Sequence, residues 1–415
     1  MRKPPIRKAA DMTEQTVQPW SILGTDPAPA QAAPDPDAYW EFDGGFALVY
    51  YANSKFGLNR PVIFADGFNA GRSKPDAMWA HMETEGDYAL VSALRESGRD
   101  VVMLGYEERS ARIQDNAEVA AQCIMRAAQE RRGDTPLAVG GFSMGGLVTR
   151  YALCKLETTR MNHQTGVYFS WDSPHRAAWI PISLQALAHY LKDEDGITEM
   201  SDHVNSPAAC QLLWRHIETV DAVPTQHQQR TDFLRDLDRF GTWPTIPVKL
   251  GLANGSGTGT GLDVPVGSEM LKVTGGLHPY RTTTLYAQRS GAQELVARLK
   301  RQRIVNPQPA VEKRTDGLPE LDAAPGGTLR SFGIARDQLA AGGAVECDHE
   351  WVDFVPSVSA VAIRDLDEQE DVYADIGSLD PASSDLDEFV CSSTNEEHSR
   401  ITAELGEWLL DRLPK

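Results

Sequence analysis

The residues best placed to do chemistry are Gly141-Phe142-Ser143-Met144-Gly145. A serine hydroxyl is a poor nucleophile and needs both exposure and a neighbouring base. The G-x-S-x-G spacing supplies the exposure: a sharp strand-to-helix turn lifts the serine Oγ clear of the sheet, and glycines two residues to either side let strand and helix cross at close range. The flanking sequence fits that turn. Leu137 to Gly140 reads as a buried strand and Gly146 to Leu156 as a helix. With four strand patterns upstream, the strand before Ser143 is the fifth. The competing reading is a glycine-rich β-to-α loop without catalysis.

The run Gly-Phe-Ser-Met-Gly-Gly at 141–146 resembles the nucleophile elbow of bacterial esterases and lipases of the α/β-hydrolase superfamily. Phe64-Ala65-Asp66-Gly67-Phe68 is similar to the His-Gly-Phe segment that follows the third strand there, with Asp66 in place of the histidine. Asp172-Ser173-Pro174-His175-Arg176 resembles the Ser-Pro-His-Arg-Gly loop of lipases, with Ala177 in place of the glycine. The resemblance implies an acyl-enzyme route without metal or organic cofactor, and backbone N–H groups of Met144 and Phe68 as the oxyanion hole.

It also implies a base after the last strand and before the final helix. Of ten histidines, His398 fits that place. His175 is the rival by motif, but in the resembling lipases that loop histidine is structural. The acid is less determined. The loop after the seventh strand holds Asn254 where a carboxylate is expected, and an amide cannot carry the charge that stabilises imidazolium. Asp172 is preferred because the resemblance extends to pancreatic-type lipases, which place the acid after the sixth strand, and because Ser143, Asp172 and His398 keep the order nucleophile, acid, base. Asp353 is the runner-up, since Asp353-Phe354-Val355-Pro356 is similar to an Asp-Gly-Thr-Val-Pro segment of lecithin–cholesterol acyltransferase relatives with one residue missing. Asp263 is third.

Four- or five-residue apolar strands alternate with longer helical patterns, as βαβ units of a largely parallel sheet require. Strands are predicted at 39–42, 46–52, 61–65, 101–104, 137–140, 167–170 and 246–252, with an eighth within 351–363. Helices are predicted at 75–97, 111–131, 146–156 and 399–412. The expected organisation is a disordered tail over 1–38, rich in proline, and a hydrolase domain over 39–415. Within that domain 174–245 reads as a helical cap, whose Trp179, Ile182, Leu187, Leu212, Leu213 and Trp214 either line an acyl pocket or merely cover the sheet. Residues 262–345 read as a second insertion of unclear structure, and the acidic stretch 365–388 as a solvated loop.

The bulk numbers narrow the partners. Hydrophobic residues make up 41% of the 415, enough for a sizeable core. A net charge of −19 repels phosphate backbones, so nucleic acid is not an expected partner. The five cysteines include no C-x-x-C pair, which points to free thiols. No apolar run follows the basic N-terminus or approaches a membrane span, so a cytoplasmic protein is expected. Two motifs are set aside: Gly255–Gly261 lacks the Gly-Lys-Ser/Thr ending of a phosphate loop, and Cys347-Asp348-His349-Glu350 alone is more often a loop than a metal site. The expected activity is hydrolysis of an apolar ester of short to medium acyl chain. Its alternatives are a thioesterase or acyltransferase with the same machinery, and a binding protein on a dead hydrolase scaffold. Oligomeric state is not legible.

Overall fold

The computed structural model describes residues 32–415. The expected tail therefore lies mostly outside the described residues; 32–37 have no regular structure. The strands are β1 (Ala38–Phe42), β2 (Gly45–Tyr50), β3 (Pro61–Ala65), β4 (Asp100–Tyr106), β5 (Leu137–Phe142), β6 (Thr165–Trp171), β7 (Val248–Ser256), β8 (Glu269–Val273), β9 (Thr284–Tyr286), β10 (Glu294–Leu299), β11 (Val311–Thr315), β12 (Gly326–Leu329), β13 (Val345–Glu346), β14 (Val352–Pro356) and β15 (Glu388–Ser392). The α-helices are α1 (Pro75–Glu83), α2 (Leu90–Glu96), α3 (Ile113–Glu130), α4 (Met144–Thr158), α5 (Ile182–Asp195), α6 (Glu199–Val204), α7 (Pro207–Leu212), α8 (Gln228–Arg239), α9 (Ser331–Leu339), α10 (Ser357–Ala360), α11 (Gln369–Val372) and α12 (Ala403–Arg412).

Eight strands form the central sheet in the order β1-β2-β4-β3-β5-β6-β7-β15. β2 runs antiparallel to β1 and β4, and every pairing from β4 to β15 is parallel. Side-chain alternation along a strand divides the core between two faces. In β3, Val62 and Phe64 pack with α1, α2 and α12 through Met78, Leu90, Leu94 and Leu405. Ile63 and Ala65 face the other way, toward α3 and α4 through Ala120, Ile124, Leu147 and Val148. Each such fully buried aliphatic or aromatic side chain contributes about 1.5–3 kcal/mol, and a sheet covered on both faces explains why β3, β4 and β5 read as unbroken apolar runs.

Three expectations need correction. The helix predicted over 75–97 is two, α1 and α2, because Thr84 to Ala89 contains Gly86, whose Cα lies against the Ile401 carbonyl; a Cβ there would stand 2.0 Å from that oxygen. The eighth sheet strand is β15, not 351–363. Val352–Pro356 instead pairs only with β12, antiparallel, with a bulge between Gly327 and Thr328. The 365–388 stretch is not a plain loop: it carries α11 and two 3-10 turns, anchored by buried Leu366, Val372, Ile376 and Leu386. The 262–345 stretch, whose structure the sequence left open, carries a five-stranded antiparallel sheet, β11-β10-β9-β8-β13, with β12 and α9 lying between β11 and β13 in the chain.

Candidate active site

Ser143 sits between β5 and α4 with φ 51° and ψ −122°. That left-handed backbone is costly for serine, and strain of this kind persists only where surrounding structure enforces it. Here the Ser143 N–H donates to the Trp171 carbonyl at 2.8 Å. The glycines permit the turn. A Cβ on Gly145 would lie 2.2 Å from the Ala65 carbonyl oxygen, and one on Gly141 would lie 2.6 Å from the Gly145 carbonyl carbon. α4 can therefore cross β3 only because both positions lack side chains.

His398 lies between β15 and α12. Its Nδ1–H donates to Asp172 Oδ2 at 2.7 Å. Asp172 is fully buried at the end of β6 with φ 49°, and its Oδ1 accepts the Asn254 backbone N–H at 2.9 Å. The loop around His398 is tied on both sides. His398 N–H donates to the Thr328 carbonyl at 2.8 Å, and Thr328 N–H to the Glu396 carbonyl at 2.9 Å. Glu396 N–H donates to the Asn254 carbonyl at 2.9 Å, and Asn254 Nδ2 to the Arg400 carbonyl at 2.7 Å. Phe354 closes the remaining side, its ring edge-on to the imidazole with centroids 4.7 Å apart. His398 Nε2 faces Ser399 Oγ at 3.4 Å and makes no hydrogen bond to Ser143 in this conformation.

Asp353 is in the neighbourhood but differently set. It is fully buried on β14, and neither carboxyl oxygen has a hydrogen-bond partner among the described residues. Burial, reinforced by the negative charges of Asp172 and Asp322, pushes its carboxyl well above the usual range. Glycines on β12 make room for both carboxyls. A Cβ on Gly326 would meet Asp353 Oδ1 at 1.8 Å, and one on Gly327 would meet Asp172 Oδ2 at 1.9 Å. Asp263 is exposed and makes no hydrogen bond to His398. His175 is buried, its Nε2 against Ser170 Oγ at 2.9 Å; burial and the nearby Arg150 and Arg176 hold the ring well below the usual histidine range, hence neutral. Glu350, from the Cys347–Glu350 run, is engaged by Arg330 and Arg336.

Met144 opens α4, where first-turn N–H groups have no intrahelical acceptor. Gly67 abuts the nucleophile: a Cβ there would lie 3.5 Å from both Ser143 Cβ and the Phe142 carbonyl oxygen. The loop bearing Phe68 thus runs directly past Ser143. Asp66, the residue in the histidine position, accepts hydrogen bonds from Ser73 Oγ at 2.6 Å and Gly67 N–H at 2.8 Å. Arg109 braces the same loop through the Gly71 and Ala70 carbonyls.

A cavity of about 610 Å³ contains Ser143, His398 and Phe68 in its wall. Met78, Met82 and Phe142 supply an apolar side, and Leu329, Ile334 and Phe354 come from the insertion and β14. Trp179, Ile182, Leu187, Leu212, Leu213 and Trp214 are all buried in the core and none borders this cavity. Their burial away from this cavity goes against the acyl-pocket reading, and α5 packs on β9 and β10 of the five-stranded sheet and on α9.

The strand order, with β2 reversed, and a positive-φ serine between the fifth strand and the next helix decide the architecture. The chain has the α/β-hydrolase fold. No family model matches it, and no curated protein does. Among solved structures, the mature form of Bacillus licheniformis lipase BlEst2 is similar at 14% identity over 54% of this chain and 74% of that one, with a TM-score of 0.32. Aspergillus fumigatus lipase B is similar at 17% identity over 56% of this chain and 49% of that one, with a TM-score of 0.32. For EstE5, soaked with p-nitrophenyl butyrate, the values are 12%, 54%, 67% and 0.33. Likenesses this distant carry no argument about activity. Among the described residues no helix is long and apolar enough to cross a membrane, and the five cysteines are unpaired.

Asn254, Thr328, Ser73 and Arg109 were not singled out as functional by sequence reasoning. Only Asn254 carried a signal, as an amide where a carboxylate was expected.

Proposed function

We propose that this chain is a serine hydrolase that cleaves carboxylic esters through an acyl-enzyme. The observation that carries this reading is the 2.7 Å pairing of His398 Nδ1 with buried Asp172, beside a cavity that also contains Ser143 on its strained turn. In the first step His398 Nε2 takes the Ser143 proton as Oγ attacks the ester carbonyl. Asp172 fixes the Nδ1–H tautomer and stabilises the imidazolium that forms. The Met144 and Phe68 N–H groups receive the oxyanion, each such donor lowering the barrier by about 3 kcal/mol. His398 then protonates the leaving alcohol, and water repeats the sequence in reverse. Contact between Nε2 and Ser143 is made as substrate settles, since catalytic hydrogen bonds commonly tighten only in the Michaelis complex.

The cavity volume falls in the range of small-molecule sites, about 300–1,000 Å³. Its Met78, Met82 and Phe142 side suits an apolar acyl chain of short to medium length. The test is a panel of p-nitrophenyl esters with wild type beside Ser143→Ala, together with a fluorophosphonate probe. Turnover and labelling by wild type alone support the reading. A folded wild type that neither turns over nor labels ends it.

A further inference from the structure

We propose a second site, independent of the Ser143 chemistry: a zinc-class divalent cation held by Cys210, His216, His227 and Glu218 in the helical cap. Cys210 Sγ, one nitrogen of His216 and one of His227 all lie within 4.8 Å of one another. Two approaches lie within a few tenths of an ångström of the edges of a tetrahedral site. Cys210 Sγ stands 3.9 Å from His216 Nε2, and His227 Nε2 stands 3.1 Å from Glu218 Oε1. Metal–sulfur bonds of about 2.3 Å and metal–nitrogen or metal–oxygen bonds of about 2.0–2.1 Å at tetrahedral angles put ligand atoms roughly 3.3–3.6 Å apart.

The surroundings suit a metal. Cys210 and His216 are buried and His227 is partly so. The thiol has only a 3.6 Å contact with the Asn205 carbonyl besides His216. A hollow of about 290 Å³ bordered by His216, Glu218 and His227 opens beside the group, giving an ion a way in. One thiolate and one carboxylate neutralise a dication, so the filled site would carry no net charge into the cap. The ligands all come from the end of α7 through the start of α8, a stretch whose cross-link is the Ala178 bridge to Leu213 and the His216–Thr225 pair. A metal there would staple it.

Loading has a defined proton balance. Cys210 gives up its thiol proton to solvent as sulfur binds. Each imidazole would bind through Nε2, which otherwise faces Val204 O or Glu218, with its proton on Nδ1. At His227 this exchanges the bond in which Nδ1 accepts the Gln229 N–H for a bond to the metal. One proton is released per ion, so affinity rises with pH.

The experiment is Co²⁺ titration of the chelator-treated full chain under reducing conditions. One ion per chain is expected, with the sulfur-to-cobalt charge-transfer band and strong d–d absorption of a tetrahedral centre. Zinc should displace it and raise the unfolding temperature. Cys210→Ser should lose the charge-transfer band. His227→Gln, at a partly exposed position and with its fold checked by circular dichroism, should weaken binding about 100-fold or more. Absence of the band in folded wild type, or binding unchanged in His227→Gln, overturns the proposal. Fluorophosphonate labelling of Ser143 is read in parallel and does not bear on the outcome.

Discussion

Asp353→Asn separates two carboxyls that lie close together and carry different charge. Asp353 is fully buried without a side-chain hydrogen-bond partner among the described residues, and Asp172 stands nearby as the partner of His398. Because burial raises the Asp353 carboxyl, the fold holds its proton more tightly than the unfolded chain does. Its contribution is therefore fully present below the unfolded carboxylate value of about 3.9 and is lost as pH rises toward the folded value. Asparagine is nearly isosteric with the neutral acid and does not ionise. The variant should match wild type in stability near pH 4 and gain on it above, by about 1.4 kcal/mol for each pH unit until the folded carboxyl titrates. Urea unfolding of both proteins at about four pH values between 4 and 8 measures this slope through the difference in midpoints. Esterase activity of the variant should stay within about threefold of wild type, whereas loss of a triad carboxylate costs about 10⁴ in kcat. A stability difference that does not change with pH, or activity that collapses in Asp353→Asn, would refute the assignment of Asp353 as neutral and Asp172 as the charged partner.

Ser143→Ala should abolish ester turnover and probe labelling while moving the unfolding free energy by no more than about 0.5 kcal/mol, since the side chain is small and makes no hydrogen bond. Asp172→Asn should lower kcat about 10⁴-fold with KM little changed, read by steady-state kinetics. Gly327→Ala brings a methyl to 1.9 Å from Asp172 Oδ2, so the acid must shift. A displacement near 1 Å should cost about 100-fold in kcat in a chain whose circular dichroism still reports the fold. Gly145→Ala, with backbone of β3 rather than a side chain in the way, should instead fail to accumulate as soluble protein.

Much of the sheet was legible because its strands are short apolar runs with helices between, and the turn at Ser143 was legible because two glycines flank it at fixed spacing. Asp172 and His398 were candidates through the resemblance, with Asp353 and Asp263 left open as rival acids. What escaped was long-range. The eighth strand was misplaced because Val352 to Pro356 is as apolar as a sheet strand, yet is buried against β12 and the insertion; Glu388 to Ser392 is less apolar because it forms the sheet edge. The break between α1 and α2 depends on the approach of Ile401, more than 300 residues away in sequence. The role of Thr328 rests on backbone groups, which no residue type advertises, and that of Asn254 partly so, its side chain also donating to the Arg400 carbonyl. The cap residues announced apolar burial but not which surface they would cover.

The backbone of His398 hangs from Thr328, and Thr328 belongs to a ribbon that the inserted segment contributes rather than the central sheet. The mooring of the imidazole is thereby supplied by β12 and not by the central sheet. Trimming the protein to its sheet would discard the mooring of its own base. Conversely, loosening of that ribbon by heat or mild denaturant would silence turnover while the sheet remained intact, making enzymatic rate an early gauge of whether the accessory module is docked.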